Sequence, residues 1–170
     1  MQSPGHTEAP RASLPLLDRL LDLEPEQSKD KPMSSARALA ALRRSVQRDL
    51  EALLNTRRRW RSCPPHLTEL AVSSIGYGIP DFASGVLNDP AQREHLRTEI
   101  EITLRRFEPR FARLRVALLD NSDPLDPRLR LRVEALLRAE PAEEPVAFET
   151  VIDTAAATVT VRDQGERPDV

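Results

Sequence analysis

The chain has 170 residues, of which 39% are hydrophobic and 31% charged, and its formal net charge is −2. This length accommodates one domain with a buried core and flexible ends. The slightly acidic balance argues against a nucleic-acid-binding domain, and a single cysteine excludes an intramolecular disulfide. No apolar stretch is long enough to cross a bilayer, and the first residues lack the pattern of a signal peptide. We therefore expect a cytoplasmic protein that does not insert into the membrane.

The first 33 residues are predicted to form a flexible leader with one short amphipathic segment. Residues 14–23, with the sequence LPLLDRLLDL, place leucines on one side of a helix and charged residues on the other. A helix of about ten residues is not stable alone in water, so this segment is expected to dock, either on its own domain or on a partner. The docking leucines are Leu16, Leu17, Leu20 and Leu21.

Three helices are predicted at the start of a single domain that spans residues 34–162. The first runs from the serine pair at 34–35 to about residue 56, with an apolar stripe on one face and arginines on the other. A shorter helix follows at residues 67–74. The third has Asp89 as its N-cap and Pro90 at its first position, and it ends before Pro109. Its predicted buried face consists of Leu96, Ile100, Thr103 or Leu104, and Phe107.

Beyond the third helix the period of the hydrophobic pattern changes from 3.6 to 2, which indicates β-strands. Two strands lie around residues 114–118 and 129–133, joined by the turn-rich segment 121–127, and two more lie around 146–152 and 159–161. Residues 163–170 are expected to be a disordered tail. Helices followed by strands predict an α+β fold, in which the helices pack on one face of a small antiparallel sheet, a β-meander.

The sequence carries no recognisable catalytic, cofactor-binding or metal-binding motif. Its three histidines stand alone, without zinc-ligand spacing, and its five glycines form no phosphate-binding loop. We therefore expect no enzymatic activity, no metal and no cofactor. Two alternatives stay open: a cell-wall glycoside hydrolase, because two of the 27 acidic residues could form a catalytic pair, and a nucleic-acid adaptor that uses the arginine-rich segment 37–61.

The corner between the third helix and the first strand holds the sequence Glu108-Pro109-Arg110. A carboxylate at a helix C-terminus is unfavourable by some tenths of a kcal/mol, and proline fixes the backbone between the two charges. The residues alone favour an ordinary helix stop with a local ion pair. The alternative is that the corner holds both charged groups rigidly for a partner, which lowers the entropy lost on binding.

Four segments together resemble a known family. They are LLDRLLD at residues 16–22, LLNTRRRW at 53–60, SIGYGIPDF at 74–82 and RRFEPRFARLRV at 105–116. In this order they resemble TssE, the type VI secretion member of the phage baseplate-wedge protein family, over about residues 14–161. Each segment alone is weak evidence for the family, whereas the four segments together are specific to it.

The resemblance implies a structural subunit of a contractile machine, in a baseplate docked at the inner face of the inner membrane. It implies binding to the wedge proteins TssF, TssG and TssK, and to a sheath built from TssB and TssC. In the family the glutamate–proline–arginine corner is a wedge-assembly contact, so Glu108, Pro109 and Arg110 become the expected partner-binding residues. The same resemblance adds Arg57, Arg58, Tyr77 and Asp81. The wedge subunit of another contractile tail is the nearest alternative.

The final strand suggests a further contact. The segment ATVTV at residues 157–161 is short and uncharged, so it is predicted to be an edge strand open to strand addition. We expect this edge, or its neighbour, to meet strands of the sheath.

Overall fold

The computed structural model describes Leu20 and residues 34–58, 66–81, 89–120, 126, 128–139 and 142–165. Of the predicted docking leucines only Leu20 is among them, as a helical residue that is 72% exposed. Leu16, Leu17 and Leu21 lie outside the described residues, and so does most of the predicted tail.

Between residues 34 and 107, the described part of the chain contains two long α-helices and one short α-helix. Helix α1 spans Ser35–Asn55, and its N-cap is Ser34, whose hydroxyl accepts a hydrogen bond from the Arg37 backbone N–H (3.4 Å). Helix α2 covers Thr68–Val72, and a 3₁₀ turn at Ser74–Gly76 replaces the last part of the predicted helix 67–74. Helix α3 spans Pro90–Phe107.

The N-terminus of α3 is built as the sequence predicted. The Asp89 carboxylate accepts a hydrogen bond from the Ala91 N–H (3.0 Å), and Pro90 occupies the first turn. This arrangement satisfies one of the backbone donors that a helix N-terminus leaves without a partner.

Four antiparallel strands form one sheet in the order β1-β2-β3-β4. Their bounds are Phe111–Leu119, Leu129–Leu137, Glu144–Asp153 and Thr158–Asp163. The fourth strand extends past the predicted end of the domain at residue 162, and Gln164 N–H still donates to Ala147 C=O (2.9 Å). The fold is therefore the predicted α+β meander with helices packed against the sheet.

The core lies between the sheet and the two long helices, and alternate residues of each strand enter it. From α1, the buried leucines include Leu42, Leu50 and Leu53, while α3 contributes Ile100 and Leu104. Phe148, in the middle of β3, is fully buried. Because α1 packs along β4 and α3 along β1, each long helix runs beside one edge of the sheet.

Candidate partner-binding corner

At the Glu108-Pro109-Arg110 corner, the side chains of Glu108 and Arg110 form an ion pair with each other. Glu108 is the C-cap of α3 and only 5% exposed. Its carboxylate accepts a bond from Arg110 Nε (2.6 Å) and a second, short one from Arg110 Nη2, so the pair is bidentate. It also accepts the Arg110 backbone N–H (3.2 Å). The guanidinium thus neutralises the carboxylate that the negative end of the helix dipole disfavours.

Helix α1 supports the corner from the opposite side. Arg110 Nη2 donates to the Asp49 carboxylate (2.8 Å), and Arg110 Nη1 lies 3.4 Å from the hydroxyl of Ser45. Burial disfavours the charged guanidinium, but the bonds to Glu108 and Asp49 outweigh it and raise the pKa of Arg110 above its usual value. Arg110 therefore stays charged and connects α1 to the start of β1.

Two aromatic rings pack beside this ion network. The Tyr77 ring meets Phe107 edge to face, with 5.3 Å between ring centroids, a favoured geometry for aromatic pairs. Burial, followed by the negative charges of Asp49 and Glu108, raises the pKa of Tyr77. The predicted residues Tyr77, Glu108 and Arg110 therefore meet in one place.

The chain after α1 pairs with the segment that contains Tyr77. Ile79 N–H donates to Thr56 C=O (3.0 Å), and Arg58 N–H donates to Ile79 C=O (2.9 Å). Gly78 has a φ of +100°, and a Cβ there would stand 2.4 Å from the Thr56 oxygen, so glycine is required for this close approach. The LLNTR segment and the YGIPD turn therefore contact each other through backbone hydrogen bonds.

Arg57 and Arg58, both expected to bind a partner, make contacts within the chain. Arg58 pairs with Glu99 on α3 (2.9 Å), and Arg57 donates to the Ala157 C=O (2.7 Å). Burial lowers the pKa of Arg57, and the nearby charge of Asp81 opposes that shift. Each arginine therefore has an acceptor on a neighbouring element of the same chain.

A partner protein can contact only those residues of the corner that are exposed to solvent. Pro109 is exposed and Arg110 is 24% exposed, whereas the Glu108 carboxylate is covered. From the residues alone we favoured a local ion pair at this corner, and the alternative was that the corner presents both charges to a partner. In the structure the local ion pair is formed, and the accessible surface of the corner consists of Pro109 and part of Arg110.

Sequence reasoning missed three supporting residues, Ser45, Asp49 and Glu99. Ser45 carries a weak signal, because it interrupts the buried face of α1 and is itself buried. A buried hydroxyl usually has a hydrogen-bonding partner, and Asp49 lies one turn further along the same side of the helix. Glu99 has no comparable signal, because its partner Arg58 is 41 residues away in the chain.

Among the described residues, no group of three or more histidine, cysteine or acidic residues is placed to hold a metal ion. A groove of about 610 Å³ is lined by residues of all four strands and by Arg43 of α1, with Glu134 and Asp163 as its acidic lining residues. Within the described part of the chain, no helix has the length and apolar character to cross a membrane.

Comparison with known proteins adds a family assignment. No curated protein matches the chain. The family model described as baseplate wedge protein gp25 matches residues 40–142. This range contains the LLNTRRRW, SIGYGIPDF and RRFEPRFARLRV segments, while the leucine-rich leader and strands β3 and β4 lie outside it. The match covers more than half of the chain, so the protein belongs to the gp25 family of baseplate wedge proteins.

Proposed function

We propose that this protein is the wedge subunit of a type VI secretion baseplate, and that it joins the wedge proteins to the first ring of the sheath. Membership of the gp25 family supports a structural role in the baseplate of a contractile tail, consistent with a protein that is not an enzyme. The type VI branch is favoured by the combined segments quoted above, including the leader outside the matched range. In this role the protein acts in the cytoplasm, against the inner face of the inner membrane.

One observation supports the proposal above all. The segments LLNTRRRW, SIGYGIPDF and RRFEPRFARLRV come together at the Glu108-Pro109-Arg110 corner. Arg110 pairs with Glu108 and also with Asp49, which links the corner to α1, and Tyr77 lies beside these charges. A corner fixed in this way loses little conformational entropy on binding. Pro109 and the exposed part of Arg110 then form the contact surface for TssF and TssG.

TssK, TssB and TssC complete the proposed set of partners. The leader residues Leu16, Leu17, Leu20 and Leu21 are proposed to dock on a wedge protein, since Leu20 is 72% exposed and a helix of about ten residues is not stable alone in water. Asp81, which is exposed, is proposed to lie at the rim of the corner contact. Nucleic acid has no part in this assembly.

Co-purification with TssF and TssG tests the proposal. Wild-type protein should be captured, and Arg110→Ala should reduce capture at least tenfold, because it removes an arginine side chain from the contact surface, and truncating a central interface arginine costs about 2 kcal/mol or more. Leu131→Ala, in the core of β2 and fully buried, serves as a control that is destabilised by about 2–5 kcal/mol without altering the corner.

The two variants separate a contact from a loss of stability. If both variants lose capture together, the corner acts only through folding. If neither does, the wedge contact lies elsewhere on the protein. Failure of the wild-type protein to bind TssF and TssG, with capture by wedge proteins of a phage tail instead, would assign the subunit to another contractile device.

A further inference from the structure

The groove of about 610 Å³ crosses the sheet at the level of Arg115, Glu134 and Ala147. These three residues are register partners on β1, β2 and β3. Their neighbours along the strands, such as Leu114 and Phe148, are buried in the core. Because successive side chains of a strand point to opposite faces of a sheet, the three side chains stand on the face opposite the core. We call this face the outer face.

The floor of the groove on the outer face is apolar. Leu136 and Pro145 are register partners, and Pro145 lies two residues before Ala147, on the same face of β3. Leu136 and Ala147 are half-buried and Pro145 is exposed, and all three line the groove. The side chain of Ala147 is a single methyl group, which leaves a depression between its larger neighbours. An apolar depression bordered by charged residues is typical of a surface that binds another protein.

Arginines border this apolar floor. Arg113 and Arg115 are exposed and line the groove from β1, and neither guanidinium has an acceptor within the described part of the chain. The Nε of Arg132 is buried and also has no acceptor there. From the register row of Arg113 to that of Leu119, the outer face has an excess of three positive charges, which come from five arginines and two glutamates: Arg113, Arg115, Arg130, Arg132, Arg162, Glu134 and Glu149.

A carboxylate that already stands on the outer face shows how these arginines act on an acid. Glu149 pairs with Arg130. The hydrogen bond from Arg130 lowers the pKa of Glu149 in spite of the desolvation that opposes this shift, and the charge of Arg132 adds to the lowering. The outer face therefore stabilises the charged form of a carboxyl group, and Arg113 and Arg115 are available to do the same for an acid of another molecule.

The pairing of the strands favours a helical partner. Strands β2 and β3 each have a neighbour on both sides, so their backbone groups are used within the sheet and a partner can contact this part of the groove only through side chains. Helices are the elements that commonly cover the face of such a sheet. Four strands span about 14 Å, which is the length of about ten helical residues.

We propose that the outer face docks an amphipathic α-helix of another protein chain. The apolar side of that helix packs on Leu136, Pro145 and Ala147, and its aspartate or glutamate side chains pair with Arg113 and Arg115. This contact is separate from the Pro109 corner and does not depend on the proposed function.

Nuclear magnetic resonance titration of the isolated full-length chain tests the proposal. The probes are two synthetic helical peptides of about twelve residues, each with leucines on one side, flanked by glutamates in one peptide and by glutamines in the other. The glutamate peptide should shift the amide signals of Leu136 and Ala147 and bind at least about tenfold more tightly than the glutamine peptide, since it can form several ion pairs. Arg113→Glu should weaken binding of the glutamate peptide at least about fivefold, because attraction becomes repulsion. The control Arg37→Glu makes the same change of charge on α1 and should bind as wild type does.

Three results would overturn the proposal. The first is that the glutamate peptide, at up to about 1 mM, causes no shift at Leu136 and Ala147, or binds no better than the glutamine peptide. The second is that these amides shift with protein concentration alone, which would assign the outer face to a second copy of the chain. The third is that vesicles of phosphatidylglycerol and phosphatidylcholine shift them and the peptides do not, which would assign the face to an anionic lipid surface. All of these measurements use the subunit alone, so their failure is distinct from a failure to bind wedge proteins.

Discussion

Removing Arg110 should destabilise the protein more than removing Glu108, although the two residues form one ion pair. The Arg110→Ala substitution leaves a carboxylate that is 5% exposed without its guanidinium, so we expect a loss of about 3–5 kcal/mol in the free energy of unfolding. Glu108→Ala leaves the guanidinium 24% exposed and still paired with Asp49, so solvent and the second carboxylate limit the loss to about 2–3 kcal/mol.

The double variant distinguishes a coupled pair from two independent losses. With both charges gone, no buried charge is left without a partner, so the double variant should cost about as much as Arg110→Ala alone. The coupling energy is then at least about 2 kcal/mol. Urea unfolding at neutral pH, followed by circular dichroism, measures all three variants, with Glu94→Ala as a control for an exposed ion pair that contributes under about 1 kcal/mol. Losses at the two sites that add within about 0.5 kcal/mol would refute the reasoning.

Three further predictions concern the backbone and pH. Gly78→Ala should lower the free energy of unfolding by more than about 2 kcal/mol, because the new Cβ would meet the Thr56 oxygen at 2.4 Å and φ is +100°; an unchanged urea midpoint would contradict this. Ala157→Gly should raise the free energy of unfolding by about 0.5–1 kcal/mol, since Ala157 has a φ of +53°, and a lower melting temperature would disprove it. Because the folded-state pKa of Tyr77 is raised, its contribution to stability is fully present below the unfolded-state pKa, near 10, and is lost as pH rises through the folded value. Wild type should therefore lose more stability than Tyr77→Phe between about pH 9 and pH 11, and parallel losses would count against the burial of this phenol.

The fold could be predicted from the sequence because the patterns that indicate each helix and strand lie within that element. The apolar stripe of α1, the Asp89-Pro90 start of α3 and the alternation in β1 and β2 each follow from the period of one element. The order of helices and then strands leaves few architectures in which both can bury their apolar faces. The last strand ends two residues beyond its predicted end at residue 161, because the charged Arg162 and Asp163 do not continue the apolar alternation.

The contacts of the Glu108-Pro109-Arg110 corner could be predicted only in part, because they join residues that are far apart in the sequence. Arg57 and Arg58 lie beyond the end of α1, where helical periodicity places no side chain, and in the structure Arg58 pairs with Glu99 and Arg57 bonds to the backbone of the β3–β4 turn. Sequence spacing gives no information on such pairs. For the same reason, the β4 edge was predicted as open, because no local pattern shows that the Asn55 side chain bonds to the Val159 N–H and C=O.

Photo-crosslinking at the corner tests the central claim most directly. Pro109, exposed between the two paired charges, can be replaced by p-benzoylphenylalanine, with Arg37 at the exposed start of α1 replaced in a matched control. Irradiation of the complex should link position 109 to TssF or TssG and give no such link from position 37. A wedge complex that forms normally but shows no crosslink from position 109 would contradict the assignment of this corner as the wedge contact.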